Sequence, residues 1–465
     1  MTPQPSWSAD QPAPSRGEPR ELTLAVGAPA HGGHCVARPV DDPSGRVIFV
    51  RHALPGETVR ARLTEMTSRT WRADAVEILQ ASPDRVESVW PEAGPAGVGG
   101  GELAHVALDA QRTWKRWVLA DCLRRIGGQE VADAVAALPE ASAAAAVPIE
   151  PMPTDAAAQA SNSARRRALA GTSTRTRVSL TVGEDGRPGM HAFRSGTVLP
   201  LRRLPLAVDA ITEIGLLERS RWRAHYRPGM RIEAIAPSGG EPVVLLDERL
   251  LTAQARSTGR RRVREVVDAS ALGLGELTYS VHAEGFWQVH VDAPRVLVER
   301  VVRGALGADL DGAAGSRVLE LYSGAGLFTL PLAALAGDRG QVLSLEGNEQ
   351  AVRDARRTLH DQPSARLASG RVSARSVREL AGSFTGGRPD VVVLDPPRQG
   401  AGREVIEAVG ALGAERIVLV ACDPAALARD LGTLLRSGYT LGSMSALDMF
   451  PHTHHFETIA VLERS

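Results

Sequence analysis

The chain has 465 residues, and its 54 basic and 54 acidic side chains give a formal net charge of zero at pH 7. This length predicts about three domains with their own hydrophobic cores. Three cysteines, Cys35, Cys122 and Cys422, are too few and too scattered for a disulfide framework or a four-cysteine metal site. No apolar run is long enough for a membrane-spanning helix. These features predict a cytoplasmic protein without a membrane partner.

The N-terminal region contains two contrasting segments. Residues 1–19 are polar and rich in proline, which predicts a disordered tail rather than a signal peptide. In residues 20–80, short apolar runs alternate with Pro-Ser-Gly and Pro-Gly turns. This alternation predicts a small all-β module.

A helix and a low-complexity stretch are expected next. The apolar residues between Gln111 and Ile126 have helical spacing, with Trp114, Trp117, Val118, Leu123 and Ile126 broadly on one side. Residues 129–163 are rich in Ala, Pro and Ser, and this composition predicts a linker or mobile insertion.

The middle of the chain is basic. Residues 161–265 contain twenty arginines and ten acidic residues, a net charge of +10, so the remainder of the neutral chain has −10. Arginines cluster at 165–167 and at 260–264, whereas Lys115 is the only lysine in the chain. Arginine is well suited to phosphate, so this segment predicts contact with a nucleic-acid backbone. Codon bias and an ordinary solvated face are the alternatives.

From about residue 315 the pattern is a regular alternation of apolar strands and helices. Such alternation predicts a mostly parallel, doubly wound sheet, with ligands beyond the carboxyl ends of its strands. The predicted strands are SRVLEL, QVLSLEG, VVVLD and RIVLVAC, and the predicted helices are LFTLPLAALA, NEQAVRDARRTL, REVIEAVGAL and PAALARDLGTLLRS.

A glycine loop follows the first of these strands, in the sequence Glu320-Leu-Tyr-Ser-Gly324-Ala-Gly326. The glycines permit a tight turn close to a cofactor. Glu346 ends the next strand and can accept both hydroxyls of a ribose. The third glycine of a dinucleotide site and the Lys of a P-loop are absent from the sequence, which favours S-adenosylmethionine. A plain packing turn is the alternative.

Two further strands end in residues suited to chemistry. Asp395 precedes two prolines that stiffen its loop, so it can anchor the methionine amino group or a substrate, although a simple turn would look similar. Cys422 precedes a helix whose N-terminus should favour the thiolate, and it is predicted to be a nucleophile rather than a buried apolar residue. Glu457 opens the last strand and could act as a general base. The nearby histidines, 452, 454 and 455, lack the partners of a metal site.

Together these motifs resemble the uridine-C5 RNA methyltransferases that have an N-terminal TRAM domain. The similar stretches are FWQVH, ELYSGAGLF, LDPPRQGAG, ACDP and HHFETIAVL, in this order. The resemblance implies an α/β fold: a TRAM-like, OB-like β-barrel over 20–80, a central α+β RNA-binding domain over 81–285 and a Rossmann-like S-adenosylmethionine methyltransferase domain over 286–465.

The resemblance also implies the reaction and its residues. Cys422 would be the nucleophile that adds to carbon 6 of uracil, and Glu457 the base that removes the proton from carbon 5. The contacts to S-adenosylmethionine would come from Gln288, Tyr322, Gly324, Glu346 and Asp395. The product would be 5-methyluridine in rRNA or tRNA, and the enzyme would be a monomer without a metal. Because residues 83–106 contain no cysteine, we expect no iron–sulfur cluster of the kind found in some relatives.

Some positions depart from the family pattern. Asp423 replaces an Asn beside the nucleophile and could raise the thiol pKa, His290 replaces the Asn of the family's Phe-x-Gln-x-Asn stretch, and Leu327 stands where some relatives have Asn. These changes motivate one alternative, an RNA-binding assembly factor with a degenerate methyltransferase domain. A second alternative, an amino-methylating enzyme, would place an aromatic residue after Asp-Pro-Pro, where this chain has Arg398.

Overall fold

A computed structural model describes residues 21–141, 146–310 and 313–465. The tail predicted at 1–19 lies outside the described residues. The chain divides between Arg85 and Val86 into two compact units. Within the described ranges, no helix has the length and apolar composition needed to cross a membrane.

The first unit is a closed five-stranded barrel with the strand order β1-β2-β3-β5-β4. Its strands are β1 (Glu21–Ala30), β2 (His34–Pro39), β3 (Ile48–Arg51), β4 (Thr58–Met66) and β5 (Trp71–Gln80). Inward side chains such as Leu24 and Ile48 are fully buried. Arg51 and Asp74 form a buried bidentate ion pair, so each of these two charges in the small core has a counter-charge. The barrel predicted from the sequence is confirmed.

The second unit contains all the helices of eight residues or more in the described chain. The helices are α1 (Leu108–Arg125), α2 (Gln129–Ala136), α3 (Pro153–Gln159), α4 (Ala164–Ala168), α5 (Asp209–Thr212), α6 (Ser220–Arg223), α7 (Ala293–Leu306), α8 (Thr329–Ala336), α9 (Glu349–Thr358), α10 (Ala374–Ala381), α11 (Arg403–Ala411) and α12 (Pro424–Arg436). Short 3₁₀ turns lie at Pro91–Ala93 and Ser270–Leu272.

The strands of this unit form three sheets. They are β6 (Ile149–Pro151), β7 (Arg177–Val182), β8 (Pro188–His191), β9 (Val198–Pro200), β10 (Arg231–Ile235), β11 (Val243–Leu246), β12 (Arg249–Thr252), β13 (Arg262–Asp268), β14 (Glu276–His282), β15 (Arg317–Leu321), β16 (Gln341–Glu346), β17 (Ala365–Ser369), β18 (Val391–Leu394), β19 (Arg416–Ala421), β20 (Tyr439–Asp448) and β21 (Glu457–Arg464).

The largest sheet has eight strands in the order β17-β16-β15-β18-β19-β21-β20-β6. The five strands from β17 to β19 are parallel, and β21 lies antiparallel between β19 and β20. Successive strand residues point to opposite faces, so Val318 packs with α7 and α8, whereas Leu319 packs with α11 and α12. Burial on both faces explains the continuous apolar runs. The Rossmann-like prediction is confirmed.

Residues 129–163 differ from their prediction as a linker or mobile insertion. Val131, Val135 and Leu138 are buried at helical spacing in the main core, and β6 forms the outer strand of the large sheet, with Ile149 opposite Ala446. The prediction is therefore wrong for this segment outside residues 142–145, which are not described. The overall Ala-, Pro- and Ser-rich composition is typical of a linker, although Val131, Val135 and Leu138 have helical spacing.

Helix α1 begins three residues earlier than predicted, and Trp114, Val118 and Leu123 of the predicted apolar side are buried. The side chains of Trp117 and Ile126 are 55% and 43% exposed, whereas Gln111 and Lys115 are fully buried. Apolar periodicity could not identify Gln111 and Lys115 as buried, because both are polar and their hydrogen bonds are made with residues outside the helix.

The basic middle segment forms a six-stranded antiparallel sheet, β12-β11-β10-β7-β8-β9, and contributes β13 to a hairpin with β14. Val263 and Tyr279 of the hairpin are buried in the same core as α7. The side chain of Arg262 is bound to Asp354 on α9, with 2.9 Å between Nε and Oδ1. One arginine of the 260–264 cluster thus neutralises an internal carboxylate.

Candidate active site

Six of the seven predicted site residues follow strand ends at one edge of the large sheet. Tyr322 and Gly324 come after β15, Asp395 after β18 and Cys422 after β19. Glu346 is the last residue of β16, and Glu457 is the first residue of the antiparallel strand β21. Because β21 runs in the opposite direction, its beginning lies at the carboxyl edge of the parallel strands.

The glycine loop has an unusual backbone. Tyr322, Gly324 and Gly326 all have positive φ angles, of 64°, 54° and 86°. A Cβ added to Gly326 would lie 3.3 Å from the Cβ of Ala355, so this glycine permits close packing against α9. A Cβ on Gly324 would meet nothing within 4 Å, which shows open space above the loop.

Glu346 is held against this loop by two backbone amides. Its Oε2 accepts a hydrogen bond from Gly324 N at 2.9 Å, and its Oε1 accepts one from Asn348 N at 2.6 Å. The fixed carboxylate still has free lone pairs for a diol beside the open space. The loop and its donor set therefore fit a ribose-containing cofactor. Burial raises the pKa of the Tyr322 phenol to about 12, so its hydroxyl stays protonated at neutral pH.

Three carboxyl groups near this edge have a raised pKa, because burial destabilises their charged forms. Burial, the nearby Asp395 and Glu346 raise the pKa of Glu320 to about 8, although Thr329 Oγ1 donates to its Oε2 at 2.5 Å. Burial and Glu346 raise the pKa of Asp395 to about 7. Burial and Asp395 hold the pKa of Glu457 well above its ordinary value, while Arg398 opposes the shift. Oε1 of Glu320 and Oε1 of Glu457 have no hydrogen-bond partner within the described residues.

Strand register places Cys422 opposite Glu457. Ala421 of β19 pairs with Thr458 of β21 in antiparallel register, so the following residue of one strand faces the preceding residue of the other. Thr458 Oγ1 also donates to Ala421 O at 2.8 Å, which ties the two strands together directly behind the pair.

The thiol of Cys422 does not have the lowered pKa that its position before α12 predicts. Burial, followed by Glu457 and Asp395, raises its pKa to about 12. Asp423 caps the helix, because its Oδ1 accepts hydrogen bonds from Ala425 N and Ala426 N at 3.0 and 2.8 Å. The first amides of α12 therefore face this carboxylate instead of the thiol.

Gln288 is the seventh predicted residue, and it lies in a different setting. It is buried and lines a cavity of about 200 Å³ together with Glu265, Trp287 and His290. Tyr322 and Glu346 are not among the described residues that line this cavity. The structure thus brings Gln288 to a cavity beside β13, and it does not group it there with the other predicted cofactor contacts.

The two remaining departures from the family pattern have structural partners. His290 is buried, its Nε2 lies 3.1 Å from Asp155 Oδ2, and its Nδ1 accepts from Asp292 N. The carbonyl of Leu327 accepts a hydrogen bond from the Tyr279 hydroxyl at 2.9 Å. Both residues connect neighbouring parts of the same core.

Two of the histidines before β21, His452 and His455, disfavour the charged form. Burial lowers the pKa of His452 to about 4 and that of His455 to about 3. His454 stacks near His455 with ring centroids 3.9 Å apart, and Arg398 Nη2 lies 3.4 Å from His455 Nε2. In the part of the chain that is described, no group of three or more His, Cys, Asp or Glu side chains could hold a metal ion.

Sequence reasoning gave no role to Glu320 or Arg398. Glu320 ends the strand before the glycine loop, and an acidic residue in an otherwise apolar strand is a usable signal of a site. Arg398 follows the two prolines. It lowers the pKa of Glu457 and of Cys422, but these residues are distant from it in the chain, so no local sequence pattern indicates the effect.

Two family models match separate parts of the chain. A tRNA (uracil-5-)-methyltransferase family model matches residues 276–465, and a TRAM domain model matches residues 18–76. An uncharacterized RNA methyltransferase of Streptomyces avermitilis is 39% identical over 95% of this chain and 98% of its own length. The 23S rRNA (uracil(1939)-C(5))-methyltransferase RlmD of Acinetobacter baumannii is 30% identical, covering 94% of this chain and 92% of its own.

A solved structure has a similar fold. The tRNA (uracil-54, C5)-methyltransferase of Pyrococcus abyssi, in complex with S-adenosyl-L-homocysteine, aligns with a TM-score of 0.62 at 20% identity. The alignment covers 94% of this chain and 99% of that one. At this identity, the similarity concerns the arrangement of strands and helices.

Proposed function

Since this chain belongs to the RNA uracil-C5 methyltransferase family, we propose that it methylates a uridine of rRNA or tRNA through a covalent bond between Cys422 and carbon 6 of the base. The enzyme is an S-adenosylmethionine-dependent RNA methyltransferase. The observation that best supports the covalent route is the placement of Cys422 opposite Glu457, at the edge where Glu346 and the glycine loop also lie.

The cofactor would be held by the residues around the glycine loop. Glu346 would accept the ribose hydroxyls, the open turn at Gly324 would admit the nucleoside, and Tyr322 and Asp395 would complete the contacts. When bound, S-adenosylmethionine supplies an electrophilic methyl group on a sulfonium. The assignment of Gln288 to this cofactor depends on the family resemblance alone.

The protein groups would act in sequence on the uracil. Carbon 5 is a weak nucleophile, but addition of the Cys422 sulfur to carbon 6 converts the ring into an enolate that can take a methyl group at carbon 5. Glu457 would then accept the proton from carbon 5, and the bond between sulfur and carbon 6 would break to release thiolate and product. A buried carboxylate with a raised pKa is a stronger base than an exposed one.

The thiol itself must lose a proton before it attacks. Burial and the carboxylates of Glu457 and Asp395 raise the pKa of this thiol. The two carboxylates are therefore close enough to affect how readily the thiol loses its proton. Arg398 lowers the thiol pKa and stabilises the anionic carboxylate, so it would favour the reactive forms of both residues. Arg398→Gln should therefore slow methyl transfer.

The test compares two substitutions that stop the reaction at different points. Cys422→Ala should abolish methyl transfer while cofactor binding is retained, because the nucleophile is missing. Glu457→Gln should instead accumulate a protein–RNA adduct that survives a denaturing gel. Cys122→Ala is a matched control, since Cys122 is buried on α1 outside the site. Turnover by Cys422→Ala would exclude the covalent route.

The RNA substrate can be identified independently. Mapping 5-methyluridine in rRNA and tRNA from cells with and without this protein should show one lost position. RNA binding by the wild-type protein without any methyl transfer would instead favour an assembly factor. A monomeric state and a cytoplasmic location remain predictions, for sedimentation and fractionation to test.

A further inference from the structure

Helix α1 has two fully buried polar side chains one turn apart, Gln111 and Lys115. A spacing of four residues places both on the same face of the helix. Buried polar groups of this size are stable only when they are hydrogen-bonded. Each of them has partners more than 300 residues later, at the end of β20 and in the segment that connects β20 to β21.

Lys115 holds the beginning of this connection. Its Nζ donates to Asp448 Oδ1 at 2.5 Å and to Phe450 O at 3.1 Å, and the Asp448 side chain is only 2% exposed. The ion pair is therefore enclosed by protein, where the attraction offsets the cost of desolvation only if the two groups are well aligned.

Gln111 holds the next residues. Its Oε1 accepts a hydrogen bond from His452 N at 2.7 Å, and its Nε2 lies 3.1 Å from His452 Nδ1. The same Nε2 donates to Leu103 O and Val106 O. Leu103 N in turn donates to His452 O at 2.9 Å, so both backbone polar groups of His452 are bound.

The held residues lead directly to the proposed base. Residues 449–456, called here the 449–456 loop, immediately precede Glu457. Thr453 Oγ1 donates to Phe450 O, and His455 N donates to Thr453 Oγ1. His452 has a φ of 66°, a left-handed conformation that non-glycine residues adopt uncommonly. The loop therefore follows a path that external contacts must maintain.

The composition of the chain makes Lys115 informative. Every other basic residue is arginine, so the one lysine is found where a guanidinium would not suit. An ammonium group presents three donors on a thin stem, whereas a guanidinium presents five in a rigid plane. The buried site gives Lys115 two acceptors, a number that matches the smaller group.

We propose that Lys115 and Gln111 are positioning residues that hold the 449–456 loop so that Glu457 faces Cys422. The inference depends on the proposed role of Glu457 as the base. Release of the loop would displace Glu457 from carbon 5 while leaving Cys422 and the glycine loop in place. A displacement of about 1 Å can lower a rate by roughly 100-fold.

The experiment uses Lys115→Arg and Gln111→Leu in the full-length enzyme, with Arg124→Met as the control at an exposed position of the same helix. Both test variants should lower kcat about 10–100-fold, with the KM for RNA nearly unchanged. They should also accumulate the covalent protein–RNA adduct, because methyl transfer precedes the impaired proton removal. Arg124→Met should match the wild type.

A purely structural role would give a different result. Variants that lose thermal stability but keep the wild-type kcat and adduct level per folded molecule would overturn the proposal. If Lys115→Arg does not fold, Lys115→Met combined with Asp448→Asn removes both charges and should recover folding. This double variant should still be slow and form adduct, since Phe450 O remains unheld. Wild-type turnover by it would also overturn the proposal.

Glu457→Gln, measured in parallel, distinguishes a failure of the positioning role from a failure of the base assignment. If Glu457→Gln forms adduct and the α1 variants do not, the positioning role fails and the proposed reaction stands. If Glu457→Gln forms no adduct, the base assignment fails, and the positioning role fails with it.

Discussion

Two buried polar clusters in the second unit are built on opposite principles. Lys115 and Gln111 both have hydrogen-bond partners for their polar side-chain atoms, and the charge of Lys115 is paired with Asp448. At the edge of the large sheet, Glu320 and Glu457 each have a raised pKa and one oxygen without a hydrogen-bond partner among the described residues. A satisfied cluster stabilises one conformation, whereas carboxyls buried near each other lower stability in exchange for reactivity.

The largest expected effect is a difference in stability between the clusters. Lys115→Met leaves Asp448 buried without its cation, so it should lower the free energy of unfolding by about 3–5 kcal/mol. Glu457→Gln removes a carboxyl that burial disfavours, so it should be neutral or stabilising. Urea unfolding of both variants measures the contrast. Equal stabilities would show that the two clusters do not differ in this way.

The pH dependence of stability tests the unpaired carboxyls. The pKa of Glu320 is raised from 4.5 to about 8 in the folded protein. Its stabilising contribution is therefore complete below pH 4.5 and is lost as the pH rises through about 8, by up to about 1.4 kcal/mol per pH unit. Glu320→Gln should flatten this decline. Urea unfolding at pH 6 and pH 8.5 provides the measurement, and parallel curves for both proteins would contradict the prediction.

A smaller effect is expected at Asp423, which belongs to the site edge but has satisfied hydrogen bonds. Asp423→Ala should cost about 1 kcal/mol, because the cap of α12 is lost. Asp423→Asn should retain most of that stability and should keep methyl transfer. Thermal unfolding and single-turnover rates measure both. A stable Asp423→Ala protein would show that the cap is unimportant.

The smallest effect concerns the basic surface. Exposed Arg260 and Arg261 are free to meet phosphates, so replacing both by serine should reduce the salt dependence of RNA binding by about one unit of slope per lost contact. Arg262→Ser should instead lower stability, because Arg262 pairs with Asp354. Binding measured over a range of salt concentrations tests this. An unchanged slope in the double variant would assign these arginines to composition alone.

The sequence predicted the parts of the fold that local patterns determine. The apolar runs at β15, β16, β18 and β19 identified a parallel sheet, and their polar ends identified Glu346, Asp395 and Cys422 as neighbours. The turns before residue 80 likewise identified the barrel.

The failures involve partners that are distant in the chain. The burial of Lys115 depends on Asp448, and the raised pKa of Cys422 depends on burial and on the carboxylates of Glu457 and Asp395. Residues 129–163 were missed because β6 acquires its role only by pairing with β20. No local window of sequence contains these interactions.

The position of β6 has a consequence for how the enzyme is assembled. This strand is made before the basic middle segment, yet it completes the far edge of the sheet by pairing with one of the last strands of the chain. A protein beginning at residue 286 would lack β6 and α1, and would leave the backbone of Ala446, Leu447 and Asp448 at the end of β20 without its strand neighbour. The strands of the methyltransferase sheet therefore come from both sides of the basic middle segment. Removing the residues before that segment would leave a sheet edge that can pair with other chains.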